Sequence, residues 1–189
     1  MNEATSDETL MSRYRTGDAR AFETLYARHR APLYRYLLRQ CRVAAVAEEL
    51  FQDVWMNVIR AREQYEVRAR FTTWLYRMAH HRLIDYYRRQ RHGVPVSYDD
   101  DPEDAVARIP ADERVLPDNE LDRRRQANRL LELIGELPEA QREAFLLREE
   151  AGLTLEAIAE ATGVNAETAK SRLRYAVAKL RQGMNRKAP

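Results

Sequence analysis

Leu155–Leu180 reads LEAIAEATGVNAETAKSRLRYAVAKL, and its pattern decides the fold. Thr154 stands where a short helix from about Leu155 to Thr162 needs an acceptor for its first free N–H groups, and Asn165 stands before a longer helix from Ala166 to about Gln182. Small Ala159 suits a helix crossing, Gly163 a turn, and Val164 the apolar position after it. Ile158, Ala159, Val164, Ala169, Leu173, Ala176, Val177 and Leu180 fall on inward faces. Glu167, Thr168, Lys170, Ser171, Arg174 and Tyr175 are left on an outer, basic face. This is helix-turn-helix spacing, in which the second helix fits the major groove of duplex DNA, some side chains reaching base edges and others phosphates. A plain helical hairpin with a solvated basic face shares the pattern.

Upstream, Leu121, Leu130, Leu131 and Ile134 keep helical spacing, and Leu137-Pro138 marks a new start whose body carries Phe145, Leu146 and Leu147. Residues 121–189 therefore read as one small helical domain. Before it, 93–120 holds four of the seven prolines, Pro95, Pro102, Pro110 and Pro117. Nine acids stand there against two arginines, with little apolar periodicity, which reads as a linker. Further upstream, Phe22, Leu25, Tyr26, Leu33, Tyr36 and Leu37 mark one helix, with Asp18 as its cap. Val46, Leu50, Val54 and Val58 mark a second, and Phe71, Trp74, Leu75, Met78, Leu83 and Tyr86–Tyr87 a third. Residues 1–92 form the other domain, and the chain as a whole is all-α, two small helical domains joined by an acidic, proline-containing linker.

The formal charge of +2 conceals this arrangement. Arg68–Arg91 sets seven bases against Asp85, and Asn165–Lys187 sets seven against Glu167, so two basic blocks flank one acidic strip. In Arg70–Arg91, RFTTWLYRMAHHRLIDYYRRQR, the rings of Phe71, Trp74, Tyr76, Tyr86 and Tyr87 interleave with Arg77, Arg82, Arg88, Arg89 and Arg91. Single-stranded nucleic acid is bound by such pairing, since every base offers a face and every nucleotide a charge. Rings at helical spacing equally build a core, and Trp74, Leu75 and Met78 belong mostly there.

Other classes fall away. The longest run free of Asp, Glu, Lys and Arg is seven residues, His92–Tyr98, against the roughly 20 apolar residues a membrane helix requires, so no membrane insertion is expected. The acidic start MNEATSDETL lacks the pattern of a secretory leader, which places the chain in the cytoplasm. The single cysteine, Cys41, has no partner for a disulfide and suits a small apolar position. His80 and His81 are adjacent on a helix and point apart, so no metal site is expected. No phosphate loop or nucleophile motif is present, and no enzyme, catalytic residue or cofactor is implied.

Together these segments resemble the extracytoplasmic-function (ECF) sigma factors of the sigma-70 family. Phe22–Leu38 resembles the first helix of sigma domain 2, AEELFQDVW (Ala47–Trp55) its core-binding segment and Phe71–Arg91 its promoter-melting helix. LPEAQREAFLL (Leu137–Leu147) with the helix-turn-helix resembles sigma domain 4. The resemblance implies a factor that directs core RNA polymerase to promoter DNA in a stress or envelope response. It implies that Glu49, Gln52, Asp53 and Trp55 meet the polymerase, with filling of the domain core as the lesser alternative for Trp55. It implies that Thr72, Trp74, His81 and Asp85 hold a flipped minus-10 base, with Arg88 and Arg89 on the backbone. His81 stands where the family usually has asparagine, so the hydrogen-bonding set offered to that base differs. Lys170, Ser171, Arg172, Arg174 and Tyr175 match the minus-35 surface, with Tyr175 and Val177 where arginine is common. The acidic linker either threads the polymerase cleft or is a solvated tether. An anti-sigma factor is a further partner the resemblance implies. The expected picture is two basic modules that grip separated stretches of DNA once seated on the polymerase.

Overall fold

The computed structural model describes residues 5–67, 70–91 and 120–185, and every regular element among them is helical. The first half supplies α1 (Asp7–Arg15), α2 (Ala19–Cys41), α3 (Ala44–Arg60) and α4 (Phe71–Arg91), with one 3-10 turn at Arg62–Gln64. The second supplies α5 (Glu120–Glu136), α6 (Glu139–Glu149), α7 (Leu155–Thr162) and α8 (Ala166–Asn185). Apart from Glu120, the linker expected at 93–120 lies outside the described residues.

The three caps read from sequence are formed. Asp18 accepts from the Arg20 and Ala21 N–H groups at 3.1 and 3.3 Å, Thr154 from Ala157 at 3.2 Å and Asn165 from Thr168 at 2.8 Å. The hydrogen bond from Arg13, helped by those backbone donors, holds the Asp18 carboxyl below its ordinary range.

α1 lies in the acidic stretch that apolar periodicity leaves unassigned. Ser6 caps it by accepting from Thr9 N–H at 3.2 Å, Asp7 and Glu8 fill its first turn, and Leu10, Met11 and Tyr14 are buried. Its acids also tie other helices down. Asp7 pairs with Arg28 and with His29 Nε2, each at 2.7 Å, and Glu8 Oε1 accepts the first N–H of α4, from Phe71, at 2.9 Å.

In the first half, Leu25, Leu33, Leu37, Val54, Val58, Phe71, Leu75 and Ala79 are fully enclosed. In the second, Leu146, Leu147, Ile158, Ala169 and Ala176 are. Gly183 of α8 lies against α5 so closely that a Cβ there would overlap the Leu133 methyls. The two halves are also docked, which the reading of separated modules does not foresee. α7 packs against α4, while α5 and α6 pack against α2. α2 ends in the left-handed conformation at Arg42 (φ 62°), and the Arg42 guanidinium lies over Gly135 of α5, where a Cβ would come within 3.0 Å of it.

Candidate nucleic-acid and polymerase interfaces

Three surfaces carry the residues nominated from sequence. The first is the outer face of α3, where Glu49, Gln52 and Asp53 are exposed beside Met56, an apolar residue 44% exposed. Trp55 is not part of it. At 5% exposure its ring packs against Phe22, Tyr26 and Phe51 at centroid distances of 5.7, 4.9 and 6.3 Å, and this corrects its placement on the partner-facing surface. The reason is the stripe itself. Leu50, Val54 and Val58 face inward, and Trp55 follows Val54 by one position toward the aromatic side of that stripe, where α2 supplies two rings.

The second surface lies between the end of α3 and the middle of α4. Asn57, Arg60, Ala61, Gln64, Met78, His81, Arg82 and Asp85 line an open cleft of about 350 Å³. His81 and Asp85 are thus brought together, while Thr72 and Trp74 lie nearer the start of α4 and are half-buried. The Trp74 ring sits 5.0 Å from Tyr65 and 6.0 Å from Phe71, so packing claims most of it. Burial, and then the neighbouring His80 and Arg77 charges, push the His81 imidazole below its ordinary value, so at pH 7 the ring is neutral and offers one donor and one acceptor. Asp85 pairs with Arg88 at 3.0 Å; Arg88 and Arg89 are exposed beyond it. The cleft floor is braced by Asn57, whose amide oxygen accepts from Arg82 Nη2 and Nε at 2.9 Å each in the orientation that satisfies both groups. Of the rings that interleave with the arginines of α4, Phe71 and Tyr76 are fully buried and unavailable for stacking, because both fall on the α4 face that meets α1 and α2. Tyr87 is half-buried and donates to the Gln40 carbonyl at 2.8 Å.

The third surface is α8. Lys170, Arg174 and Tyr175 are exposed; Ser171 and Arg172 are half-buried on its flanks. The Arg174 guanidinium lies 5.0 Å from the centre of the Tyr175 ring, and Lys170 pairs with Glu167 at 3.6 Å. Beside this face, Lys170, Arg174 and Arg181 rim a groove of about 460 Å³ floored by Leu155, Leu173, Val177 and Ala178. The sequence pattern placed Leu173 and Val177 inward, and both are only half-buried here. That floor was missed because a residue at the edge of an apolar stripe has the same spacing as one at its centre.

Among the described residues no three metal-ligating side chains converge, and no helix is long and apolar enough to cross a membrane.

Sigma-70 region 2 matches residues 25–93, which contain the α3 face and the α3–α4 cleft, and sigma-70 region 4 matches 127–180, which contain the helix-turn-helix. The RNA polymerase sigma factor CarQ of Myxococcus xanthus is 33% identical over 172 residues, 91% of this chain and 94% of that protein. The chain belongs to the ECF sigma factors of the sigma-70 family. An ECF sigma factor SigK from Mycobacterium sp. strain KMS is 32% identical over 176 residues, covering 88% of this chain and 84% of that one. Two solved structures share the fold. The structure of CnrH in complex with the cytosolic domain of CnrY superposes with a TM-score of 0.68 at 20% identity, covering 97% of this chain and all of that one. The sigma factor RpoE in complex with the anti-sigma factor NepR from Bartonella quintana gives 0.67 at 19% identity, covering 88% and 98%. As a sigma factor the chain is a non-catalytic initiation factor that binds core RNA polymerase and promoter DNA.

Proposed function

We propose that this sigma factor divides its work among the three surfaces, within a domain 2 at 1–92, a linker at 93–120 and a domain 4 at 121–189. Glu49, Gln52 and Asp53 meet the polymerase, polar groups bordering exposed Met56 as a rim borders a hydrophobic contact. The α3–α4 cleft takes an unstacked minus-10 base, read by His81 and Asp85, with Thr72 and Trp74 at its approach and Arg88 and Arg89 on the strand. On α8, Lys170, Arg174 and Tyr175 lead the minus-35 contact, and Ser171 and Arg172 touch the backbone from its flanks.

The observation that carries this reading is the cleft. It brings two nominated residues, distant from the helix start, into one open concavity whose neutral imidazole and carboxylate can pair with the edge of a base. The test is transcription by reconstituted holoenzyme from a library randomised at the minus-10 element. His81→Asn is expected to change the preferred base at one position and leave the others. An unchanged preference would remove His81 from base reading. In parallel, Gln52→Ala with Asp53→Ala is expected to weaken binding to core polymerase about tenfold with the thermal midpoint unmoved.

The chain works in the cytoplasm, where core polymerase is. Because the RpoE chain with which it shares its fold is held by an anti-sigma factor, a partner of that kind is proposed here too, with release in a stress or envelope response.

A further inference from the structure

α4 contributes His81, Arg82 and Asp85 to the α3–α4 cleft, and the chain that follows α3 contributes Ala61 and Gln64. That second contribution sits on a turn with little support of its own. Within it Gln64 N–H reaches the Ala61 carbonyl at 3.0 Å and Tyr65 N–H the Arg62 carbonyl at 3.4 Å, and hydrogen bonds in so short a 3-10 piece are poorly aligned. Its place is fixed from outside.

The outside support comes from α1. Arg15 Nη1 donates to the Tyr65 carbonyl at 3.2 Å, and the buried Tyr14 ring has the Arg62 guanidinium 5.6 Å from its centre. Glu8 takes the Phe71 N–H, where α4 begins. One helix thus grips three successive points, Arg62, Tyr65 and Phe71, between the end of α3 and the start of α4. The Tyr65 ring is buried against Trp74 and its hydroxyl has no hydrogen-bond partner, so packing holds the ring while Arg15 holds the backbone. None of the three α1 residues lines the cleft.

We propose that Arg15, seconded by Tyr14 and Glu8, is a positioning residue for the minus-10 base: α1 stays off the nucleic acid and sharpens base choice by fixing the wall that Ala61 and Gln64 form. This role rests on the reading of the cleft as a base pocket and deepens it. A hydrogen bond to a base edge is made near about 2.9 Å and is gone beyond about 3.5 Å, so a wall that drifts by about 1 Å stops discriminating. Tyr65, whose carbonyl Arg15 holds, directly follows Gln64 in that wall. Arg15 itself is exposed, so removing its side chain leaves folding stability nearly unchanged.

The test uses holoenzyme reconstituted with the full chain and the library randomised at the minus-10 element. In Arg15→Ala the transcript ratio between the preferred base and the next, at the most selective position, is expected to fall about threefold or more, since one net hydrogen bond biases a geometry about fivefold. The thermal midpoint should move by no more than about 2 °C. Arg15→Lys keeps a donor within reach of the carbonyl and should restore the ratio. Arg13→Ala, an equal loss of charge from a side chain that pairs with Asp18 instead, should leave the ratio as in wild type. An unaltered ratio in Arg15→Ala, or an equal fall in Arg13→Ala, would overturn the positioning role. So would a uniform loss at every base with the salt slope reduced by about 0.9, which would make Arg15 a phosphate contact. His81→Asn, run alongside, separates the two levels. If it shifts the preference and Arg15→Ala does not, the base pocket stands and the positioning role falls; if neither shifts it, the pocket falls and takes the role with it.

Discussion

Replacing Trp55 separates core from interface on the same helix. Truncation to alanine removes a ring that is 5% exposed and touches three others. Burial and cavity terms for such a change come to about 3–5 kcal/mol. In a chain of this size each kcal/mol moves the midpoint by about 2–4 °C, so a drop of roughly 6–20 °C is expected. Phenylalanine behaves differently. It leaves a smaller cavity and also removes the indole N–H, which is buried with no hydrogen-bond partner and therefore costs about 1–3 kcal/mol to keep. The two terms oppose, so Trp55→Phe should stay within about 1.5 kcal/mol of wild type. Differential scanning calorimetry gives the midpoints and anisotropy with labelled core polymerase gives affinity. The phenylalanine variant should bind core polymerase within about twofold of wild type, whereas Gln52→Ala with Asp53→Ala should not. A phenylalanine variant with a normal midpoint and tenfold weaker polymerase binding would put the indole on the contact surface and refute this account.

Three further outcomes follow from other parts of the molecule. Gly183→Ala should cost about 1 kcal/mol, overpacking against Leu133 outweighing the gain in helix propensity; in a Leu133→Ala background the same change should instead stabilise by up to about 1 kcal/mol, and equal effects in the two backgrounds would show that Leu133 is not the obstacle. Burial pushes the Cys41 thiol up to about 11 from 9.0, so its alkylation by iodoacetamide at pH 8 should run about 100-fold slower than that of an exposed thiol, and a rate like free cysteine's would contradict the burial. Lys170→Ala should reduce the salt slope of holoenzyme binding to promoter DNA by about 0.9, one phosphate's worth, and an unaltered slope would take Lys170 off the backbone.

Caps, turns and helical stripes were legible because their signals are local. Asp18, Thr154 and Asn165 each bond an N–H two or three residues on, and Gly163 supplies the left-handed turn (φ 66°) between α7 and α8. α1 escaped because its three buried residues, Leu10, Met11 and Tyr14, are too few to set a period, although Ser6 before Asp7 and Glu8 was an available capping signal. Trp55 could not be assigned from spacing, since only α2 decides whether that edge of α3 is covered. The docking of the halves was invisible for a stronger reason. Arg35 and Glu150 are 115 residues apart, Tyr36 and Glu143 107, and no periodicity within either helix reports a partner at that distance.

The bond from Glu8 to Phe71 N–H has a practical side. Anyone trimming this chain for crystals or for a minimal promoter-melting fragment would be tempted to start at Ala19, where the regular apolar rhythm sets in. Such a fragment would lack the carboxylate that anchors the opening turn of the melting helix, and the aspartate that steadies His29 under the Phe71 ring. What looks like a dispensable leader is a remote end-piece of α4, supplied from more than sixty residues away in the chain.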